Sequence, residues 1–390
     1  MKTISAIGIF VGMIFGAGIF ALPYSISQSG LFWGLIHFII TFFIVLGLHL
    51  LYANIIFEIP GKHRFVGYVE ILLGEKAKFL AFLNTIFNYY GSLLIYALLG
   101  GFFIFNIFPF FSSFYWSFIF LLTGSCFIFF NLQNTGKINF YLTLPLFFFI
   151  LVFSFLLIPY IKISNFSLLN RISSNNWFLP YGVFIFSFSG FAVIPDIADF
   201  FKSTNGLNKK TSGFKKMKDT IKFSQIFIAV FYFIFIASVL GVLGPNTSEN
   251  IFSDVSEIIG PNGLYIASFI GFLAVITSFI ALAHDFKSIL FLDYRVPLRI
   301  SWFLIILPLI ISLFFINQKF TAIISALGAI GLGVFGLFIL LMAEKFKKHF
   351  SFKYKMSGVF WSPLISKFLI FSLILGASYE FFYIAKNILG

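Results

Sequence analysis

Two interrupted apolar segments contain the residues of this chain whose spacing has chemical consequences. They read VGMIFGAGIFALPYS at 11–25 and VFIFSFSGFAVIPDI at 183–197, and in a common register Gly18 matches Gly190, each followed five residues later by proline. Small residues weaken a helix, and proline removes a backbone donor. Freed N–H groups suit a carboxylate, and freed carbonyls suit an ammonium group or Na⁺. The groups freed in this way belong to Gly16, Ala17, Gly18, Ile19, Ser187, Phe188, Ser189, Gly190 and Phe191.

Close helix packing is the alternative explanation for these small residues, and it would account for either segment alone. Two interruptions in register favour broken helices instead, because backbone freed at membrane depth must line a cavity or face protein. Neither segment carries an acidic or basic residue before Asp196. The pattern therefore predicts a midplane site for a ligand with both charges on its head group.

Three aromatic residues are candidates for contacts with the rest of the ligand. Phe188 and Phe191 flank the second interruption and predict either a side-chain pocket or an outer gate, with ordinary packing as the alternative. Tyr96 lies within GSLLIYALLGG, and a buried phenol needs a hydrogen-bond partner. That partner is either a ligand carboxylate or a carbonyl of another helix.

The elements that carry these residues are membrane helices. The composition is 60% hydrophobic and 10% charged, with a mean hydropathy of +1.03, whereas soluble domains carry about 25% charged residues. A spanning helix needs about 20 apolar residues. Runs of that length predict eleven spans, at 4–27, 31–57, 79–108, 114–131, 138–161, 178–201, 220–243, 261–290, 299–316, 320–343 and 363–388.

The distribution of positive charge predicts the orientation. With the N-terminus in the cytoplasm and the C-terminus outside, all but four of the 26 Lys and Arg residues fall on the cytoplasmic side. This is the asymmetry that the positive-inside rule requires, and it predicts a multi-pass protein of the plasma membrane. The four exceptions are Lys162, Arg171, Lys319 and Lys386.

The positions of the two interrupted spans predict an internal repeat. They open the segments 1–161 and 178–343, each with five spans, and an odd number of spans makes the second repeat inverted. The span at 363–388 is an addition. The predicted fold is an all-helical membrane protein with two inverted five-helix repeats.

The segments GAGIFALPY (16–24), FSFSGFAVIPDI (186–197) and ITSFIALAHDFKSIL (276–290) resemble the first, sixth and eighth helices of the amino acid/auxin permease family. This family, which includes the bacterial aromatic amino acid permeases, belongs to the amino acid–polyamine–organocation superfamily. The resemblance implies the leucine-transporter fold, with broken helices 1 and 6, and secondary transport of an amino acid.

The same resemblance implies a coupling ion and no other cofactor. Thr277 and Ser278 lie where related transporters bind Na⁺ together with carbonyls of the first helix, although hydroxyls in helices also bond to their own backbone. Proton-coupled relatives carry a lysine within the fifth span, whereas Lys137 here precedes it, which favours Na⁺ over H⁺. His37 and His49 are the alternative proton carriers.

Acidic residues near the cytoplasmic ends of two spans predict an inner gate. Asp196 and Asp199 follow the second interruption, and Asp285 follows His284 in the eighth span. They are expected to pair with loop lysines or to be solvated.

Three other functional classes are a receptor, an enzyme and a primary pump. A receptor of the same fold that senses amino acids without moving them is the alternative, and an uptake assay separates it from a transporter. The sequence contains no HExxH motif and no nucleotide-binding loop, which argues against an enzyme or a primary pump. The expected partners are an amino acid and the lipid bilayer, and not nucleic acid.

Overall fold

Helices account for the regular secondary structure of the described residues. The computed structural model describes residues 2–129, 135–169, 176–202, 207–315, 320–349 and 363–389. Two π-helical turns, Ile289–Asp293 and Leu327–Leu332, extend or interrupt longer helices. The α-helices are α1 (Lys2–Ile14), α2 (Gly18–Ser29), α3 (Leu31–Glu58), α4 (Phe65–Leu73), α5 (Glu75–Ile107), α6 (Ser113–Phe129), α7 (Thr135–Leu157), α8 (Ile163–Leu168), α9 (Leu179–Phe188), α10 (Ile194–Phe201), α11 (Leu207–Leu243), α12 (Ile251–Ile259), α13 (Pro261–Ser288), α14 (Leu298–Leu313), α15 (Phe320–Ala326), α16 (Gly333–His349) and α17 (Pro363–Leu389).

Each predicted span coincides with a helix or with a pair of joined helices. Seven helical segments are long and apolar enough to cross a membrane, and the bent pair α1–α2 provides an eighth. Three predicted spans coincide with shorter apolar helices, at Ser113–Phe129, Leu144–Tyr160 and Leu298–Leu313. The chain is therefore an integral, multi-pass membrane protein, and the total of eleven crossings stays a prediction.

The first span is broken where the sequence predicts. Helix α1 ends at Ile14 and α2 begins at Gly18, with an angle of 47° between them. The Gly16 N–H donates to the Ile14 carbonyl at 2.9 Å, which closes a tight turn instead of continuing the helix. Within α2, Pro23 has no N–H to donate to the preceding turn.

The sixth span is broken in the same way. Helix α9 ends at Phe188, the backbone is extended at Ser189, and a short 3₁₀ turn follows from Phe191 to Val193 before α10 begins. Pro195 lies in the first turn of α10, where a missing N–H removes no helical hydrogen bond. The two broken helices of the fold are therefore confirmed.

The broken helices lie at the centre of the bundle. Helix α1 packs against α7, α11 and α13, and α2 packs against α9, while α5 and α13 form a long contact beside them. The periphery carries large exposed side chains such as Phe148, Phe155 and Phe382, each 71% exposed. Surfaces of this kind suit lipid, so the high content of 64 phenylalanines does not by itself indicate a binding site.

Loops that the predicted topology assigns to one membrane face contact each other. On one face the Lys162 N–H donates to the Gly241 carbonyl at 2.9 Å, and on the other Arg64 pairs with Asp196 at 2.7 Å. The absolute orientation and the inverted repeats stay predictions. One detail is corrected: α7 begins at Thr135, so Lys137 lies in its first turn and not before it.

Candidate functional site

The end of α1 meets two hydroxyls of α13. Ser278 Oγ donates to the carbonyls of Gly12 and Met13, at 3.0 and 3.1 Å. Thr277 Oγ1 lies 3.5 Å from the Gly12 carbonyl and also donates within its own helix, at 2.9 Å from the Ala274 carbonyl. Both hydroxyl residues are fully buried. Four uncharged oxygen atoms therefore converge at this point.

These four oxygens fit a monovalent hard cation. Ligands of a hard cation at about 2.3–2.6 Å lie roughly 3.3–3.7 Å apart when they subtend a right angle. The hydroxyl–carbonyl separations of 3.0, 3.1 and 3.5 Å are hydrogen-bond distances at or below that range, so binding of an ion here stays a prediction. Gly16 allows the close approach, because a Cβ at this position would lie 2.5 Å from Ser278 Oγ. Among the described residues no cluster of three His, Cys, Asp or Glu side chains offers another metal site.

The two breaks are in direct contact, and glycine is required where they meet. A Cβ on Gly18 would lie 2.3 Å from Ser187 Oγ and 2.7 Å from its Cα. A Cβ on Gly190 would lie 2.9 Å from both the Ile14 and the Phe10 side chains. The glycines matched in the sequence therefore bring the two interruptions together.

A tyrosine of α11 bridges the carbonyl ends of both breaks. The Tyr232 hydroxyl lies 2.9 Å from the Ile14 carbonyl and 3.0 Å from the Ser187 carbonyl, and its side chain is fully buried. Ile14 ends α1, and Ser187 lies in the last turn of α9. One phenol therefore satisfies a carbonyl of each broken helix.

A hydrogen-bond chain from α3 and α11 satisfies the backbone beyond the second break. The Gly190 N–H donates to His49 Nε2 at 3.0 Å, and His49 Nδ1 lies 3.2 Å from Gln225 Oε1. The Gln225 amide in turn donates to the Phe188 carbonyl at 3.2 Å. Both polar side chains are fully buried. We call this arrangement the His49–Gln225 chain.

Backbone N–H groups without a partner in the helix remain at the start of α2. The N-cap residue Ala17 provides no side-chain acceptor, and the first N–H groups of a helix, here those of Gly18 and Ile19, lack partners within the helix. The positive end of the helix dipole points the same way. Such a helix end suits a carboxylate, but neither Gly18 nor Ile19 lines the cavity described next, so the carboxylate site stays a prediction.

A narrow cavity of about 30 Å³ lies beside the breaks. Of the predicted site residues, Tyr96, Ser189 and Phe191 line it. The Ser189 hydroxyl is buried and has no hydrogen-bond partner among the described residues, so it is available to a ligand. The other lining residues are Met13, Asn88, Tyr89, Ser92, Phe186, Ala192, Leu282, Leu332 and Phe335.

The remaining predicted aromatic residue lies elsewhere. Phe188 is fully buried and does not line the cavity. Its ring packs between α3, α9 and α11, against Phe38, Phe42, Phe184 and Tyr232. Phe191, in contrast, stacks on Phe335 with ring centroids 5.1 Å apart and forms one wall of the cavity.

An ion-pair network separates this cavity from a vestibule of about 310 Å³. Tyr89 lines the cavity, and its hydroxyl donates to Asp285 at 2.7 Å. Arg64 lines the vestibule and contacts Asp285 at 3.4 Å and Asp196 at 2.7 Å. Asp196 and Asp285 therefore pair with an arginine and not with loop lysines, because the turn before α4 carries Arg64 into the interior.

Backbone contacts hold this arginine in place. Asp293 accepts hydrogen bonds from the Arg64 N–H at 3.1 Å and the Gly67 N–H at 2.9 Å. Burial disfavours the charge on Arg64, but the carboxylates of Asp196 and Asp285 more than offset this and raise the pKa of the guanidinium. Arg64 is therefore charged at every physiological pH.

Aromatic rings close the opposite side of the breaks. Phe20 of α2 contacts Phe103 of α5 and Phe252 of α12, with ring centroids 5.0 and 5.4 Å apart. All three rings are buried. None of these three rings lines the cavity; this apolar contact and the Arg64 ion pairs are the two candidate closures of the site.

A comparison with protein families decides the identity of the chain. The family model described as "Transmembrane amino acid transporter protein" matches residues 1–378. The chain belongs to this family. The match confirms the resemblance seen in the first, sixth and eighth helices, and the protein is accordingly a transporter by family. A search of curated proteins gives no significant match.

Solved structures confirm the fold of this amino acid transporter family member. Mhp1, a nucleobase-cation-symport-1 family transporter in a closed conformation with bromovinylhydantoin bound, is 13% identical and covers 99% of this chain and 93% of its own, with a TM-score of 0.69. MhsT in complex with L-phenylalanine is also 13% identical, covers 97% of this chain and 98% of its own, and has a TM-score of 0.69. Both likenesses show the leucine-transporter-like fold.

Several residues of the transporter's site lay outside the sequence-based prediction. Gln225, Tyr232 and Arg64 were not singled out, and His49 was considered only as a proton carrier. A signal was present for the first two, because they are polar residues two helical turns apart on one face of an apolar span. No such signal marked Arg64, because its loop contains several other positively charged residues.

Proposed function

We propose that the protein is a secondary active transporter that moves an amino acid by alternating access, coupled to Na⁺. The contact between two broken helices carries this proposal. It offers amide groups of Gly18 and Ile19 to a carboxylate. The carbonyls of the opposite helix halves already accept hydrogen bonds from side chains, and each has a second lone pair for an ammonium group. An α-amino acid is the small metabolite with both groups on one carbon.

The cavity chemistry supports a substrate with a neutral side chain. Its walls are aromatic or aliphatic except for the Asn88, Ser92 and Ser189 side chains and two phenols. The nearest carboxylate, Asp285, already engages Tyr89 and Arg64. A cationic side chain would therefore find no free partner, and an anionic one would be repelled.

A gating role for both closures follows from the size of the cavity. A volume of about 30 Å³ holds a few water molecules, since one occupies about 10–15 Å³ on this measure. An amino acid therefore enters only if the cavity widens, and separation of the stacked rings of Phe191 and Phe335 would widen it. Alternating access then requires that the Phe20–Phe252 contact and the Arg64 ion pairs open in turn, and never at the same time.

Na⁺ is the proposed coupling ion because uncharged oxygens suit it. Thr277 and Ser278 would bind the ion together with the carbonyls of Gly12 and Met13. Since those carbonyls end α1, an ion there would stabilise the first break. Binding of the ion and of the substrate head group would thereby be linked.

Uptake in proteoliposomes tests the proposal. Each of the twenty L-amino acids is offered in labelled form, with an inward Na⁺ gradient or an inward H⁺ gradient imposed separately. We expect uptake of a neutral amino acid that rises with the Na⁺ gradient at fixed pH. Binding without uptake would instead identify the receptor alternative, and stimulation by the H⁺ gradient alone would exclude Na⁺ coupling.

A further inference from the structure

The roles of the atoms in the His49–Gln225 chain are fixed by a single donor. A backbone N–H only donates, so His49 Nε2 must accept from Gly190 and carries no proton. The imidazole proton is therefore on Nδ1 and is donated to Gln225 Oε1. The Gln225 amide nitrogen then faces the Phe188 carbonyl, which requires a donor. All three hydrogen bonds agree on one neutral tautomer and one amide orientation.

Among the described residues, the His49–Gln225 chain has no charged neighbour that would change the neutral tautomer assigned to His49. The rings packed on His49 are those of Phe10 and Phe191, with centroids 5.2 and 4.5 Å away. Its lone pair on Nε2 is occupied by Gly190. In this form both imidazole nitrogens of His49 are engaged in hydrogen bonds, and a role of His49 as a proton carrier stays an untested prediction.

The His49–Gln225 chain lies where it can orient residues of the substrate site. Gly190 lies between Ser189 and Phe191, both of which line the cavity. Fixing its amide therefore orients the unpartnered Ser189 hydroxyl and the Phe191 ring. The backbone would otherwise rotate freely at this glycine, since it lacks a Cβ.

We propose that His49 is a positioning residue of the substrate site, which acts by holding the Gly190 amide and is itself oriented by Gln225. This rests on the proposed function, because it takes the second break as part of the amino acid site. Its role is to keep the non-helical backbone of the break in one conformation. Gln225 contributes by fixing the tautomer that leaves Nε2 as an acceptor.

Substitutions at one position separate this role from general packing. His49→Gln places an amide oxygen close to the position of Nε2 and so retains an acceptor for Gly190. His49→Leu removes the acceptor and leaves a buried donor unpaired. His37→Leu is the matched control, because His37 is also buried in α3 but contacts the Trp177 carbonyl, away from the breaks.

Two measurements are made on the full-length protein in lipid nanodiscs. Equilibrium binding of each of the twenty L-amino acids gives the substrate affinity. Hydrogen–deuterium exchange of the peptide covering 183–197 reports the Gly190 amide without any ligand. Thermal unfolding confirms that each variant is folded.

We expect His49→Leu to weaken binding at least fivefold and to accelerate exchange in this peptide, while His49→Gln stays within about threefold of the parent. Gln225→Leu should weaken binding, and adding it to His49→Leu should cost little more, since both act through one chain. His37→Leu should leave binding and exchange unchanged.

Unchanged binding in a folded His49→Leu variant would overturn the inference, and so would a loss in His49→Gln as large as in His49→Leu. Failure of the parent to bind any of the twenty amino acids would instead refute the proposed function, and the substrate role of His49 with it. The exchange measurement would still decide, in that case, whether His49 holds the break.

Discussion

Removing Arg64 should open the partition between the cavity and the vestibule. The guanidinium bridges Asp196 and Asp285, with side-chain exposures of 8% for Arg64, 25% for Asp196 and 3% for Asp285. Removing one partner of a fully buried pair costs about 3–5 kcal/mol. Asp196 is partly solvated, and Asp285 keeps its hydrogen bond from Tyr89. We therefore expect Arg64→Gln to destabilise the closed state relative to the open state by about 2 kcal/mol, which corresponds to roughly a 30-fold shift toward the open state.

Cysteine accessibility measures this shift directly. Ala192 lines the cavity, and the only native cysteine, Cys126, is replaced by serine to give a clean background. A membrane-impermeant thiol reagent is applied from the vestibule side, using inside-out and right-side-out vesicles in parallel. When opening is rapid relative to labelling, the rate at Ala192→Cys is proportional to the open population.

We expect Arg64→Gln to accelerate labelling from the vestibule side about 30-fold and to leave the other side unchanged. Arg64→Lys, which keeps the charge but reaches fewer oxygens, should give an intermediate rate. A rate for Arg64→Gln within twofold of the parent would refute the assignment of these pairs as a gate. Faster labelling from both sides would indicate a loosened protein and not an opened gate.

The remaining predictions concern the site, the ion and the orientation. Gly18→Val should abolish substrate binding without loss of membrane insertion, because its side chain collides with the facing serine; normal transport would exclude this midplane site. Thr277→Ala with Ser278→Ala should weaken Na⁺ affinity at least about tenfold, at about 1 kcal/mol for each lost ligand; a parent that responds only to a pH gradient would contradict it. Cysteines in loop 244–260 should be labelled from outside intact cells and those in loop 202–222 should not; the reverse would overturn the orientation.

The sequence was sufficient for the features that depend on local chemistry. Small residues followed by proline weaken a helix locally, and the match between the two segments favoured a break in each, so both interruptions were predicted to within a residue or two. The alignment of the two segments predicted that both contribute to one midplane site, but it did not predict the close approach of Gly18 to Ser187. The oxygen cluster at Ser278 followed from the family resemblance.

Features that depend on packing between distant helices could not be predicted in this way. Phe188 and Phe191 flank the same glycine, yet one faces α3 and α11 and the other faces the cavity. Which direction each ring takes is decided by the extended backbone at Ser189, and that conformation is stabilised by residues 141 and 37 positions away in the chain. The residues near the break do not indicate that His49 and Gln225 are its hydrogen-bond partners.

The gate and the substrate site share one side chain, which suggests how occupancy of the site affects the gate. Tyr89 contributes its ring to the cavity wall and its hydroxyl to Asp285, and Asp285 in turn contacts Arg64. A substrate that displaces the Tyr89 ring would change the length of the hydrogen bond from the Tyr89 hydroxyl to Asp285. Because the carboxylate is buried, a change in that bond alters how strongly Asp285 competes for the guanidinium. Under the proposed function, binding in the cavity would therefore be energetically coupled to the Arg64 ion pairs through three consecutive contacts, from the substrate to Tyr89, from Tyr89 to Asp285 and from Asp285 to Arg64.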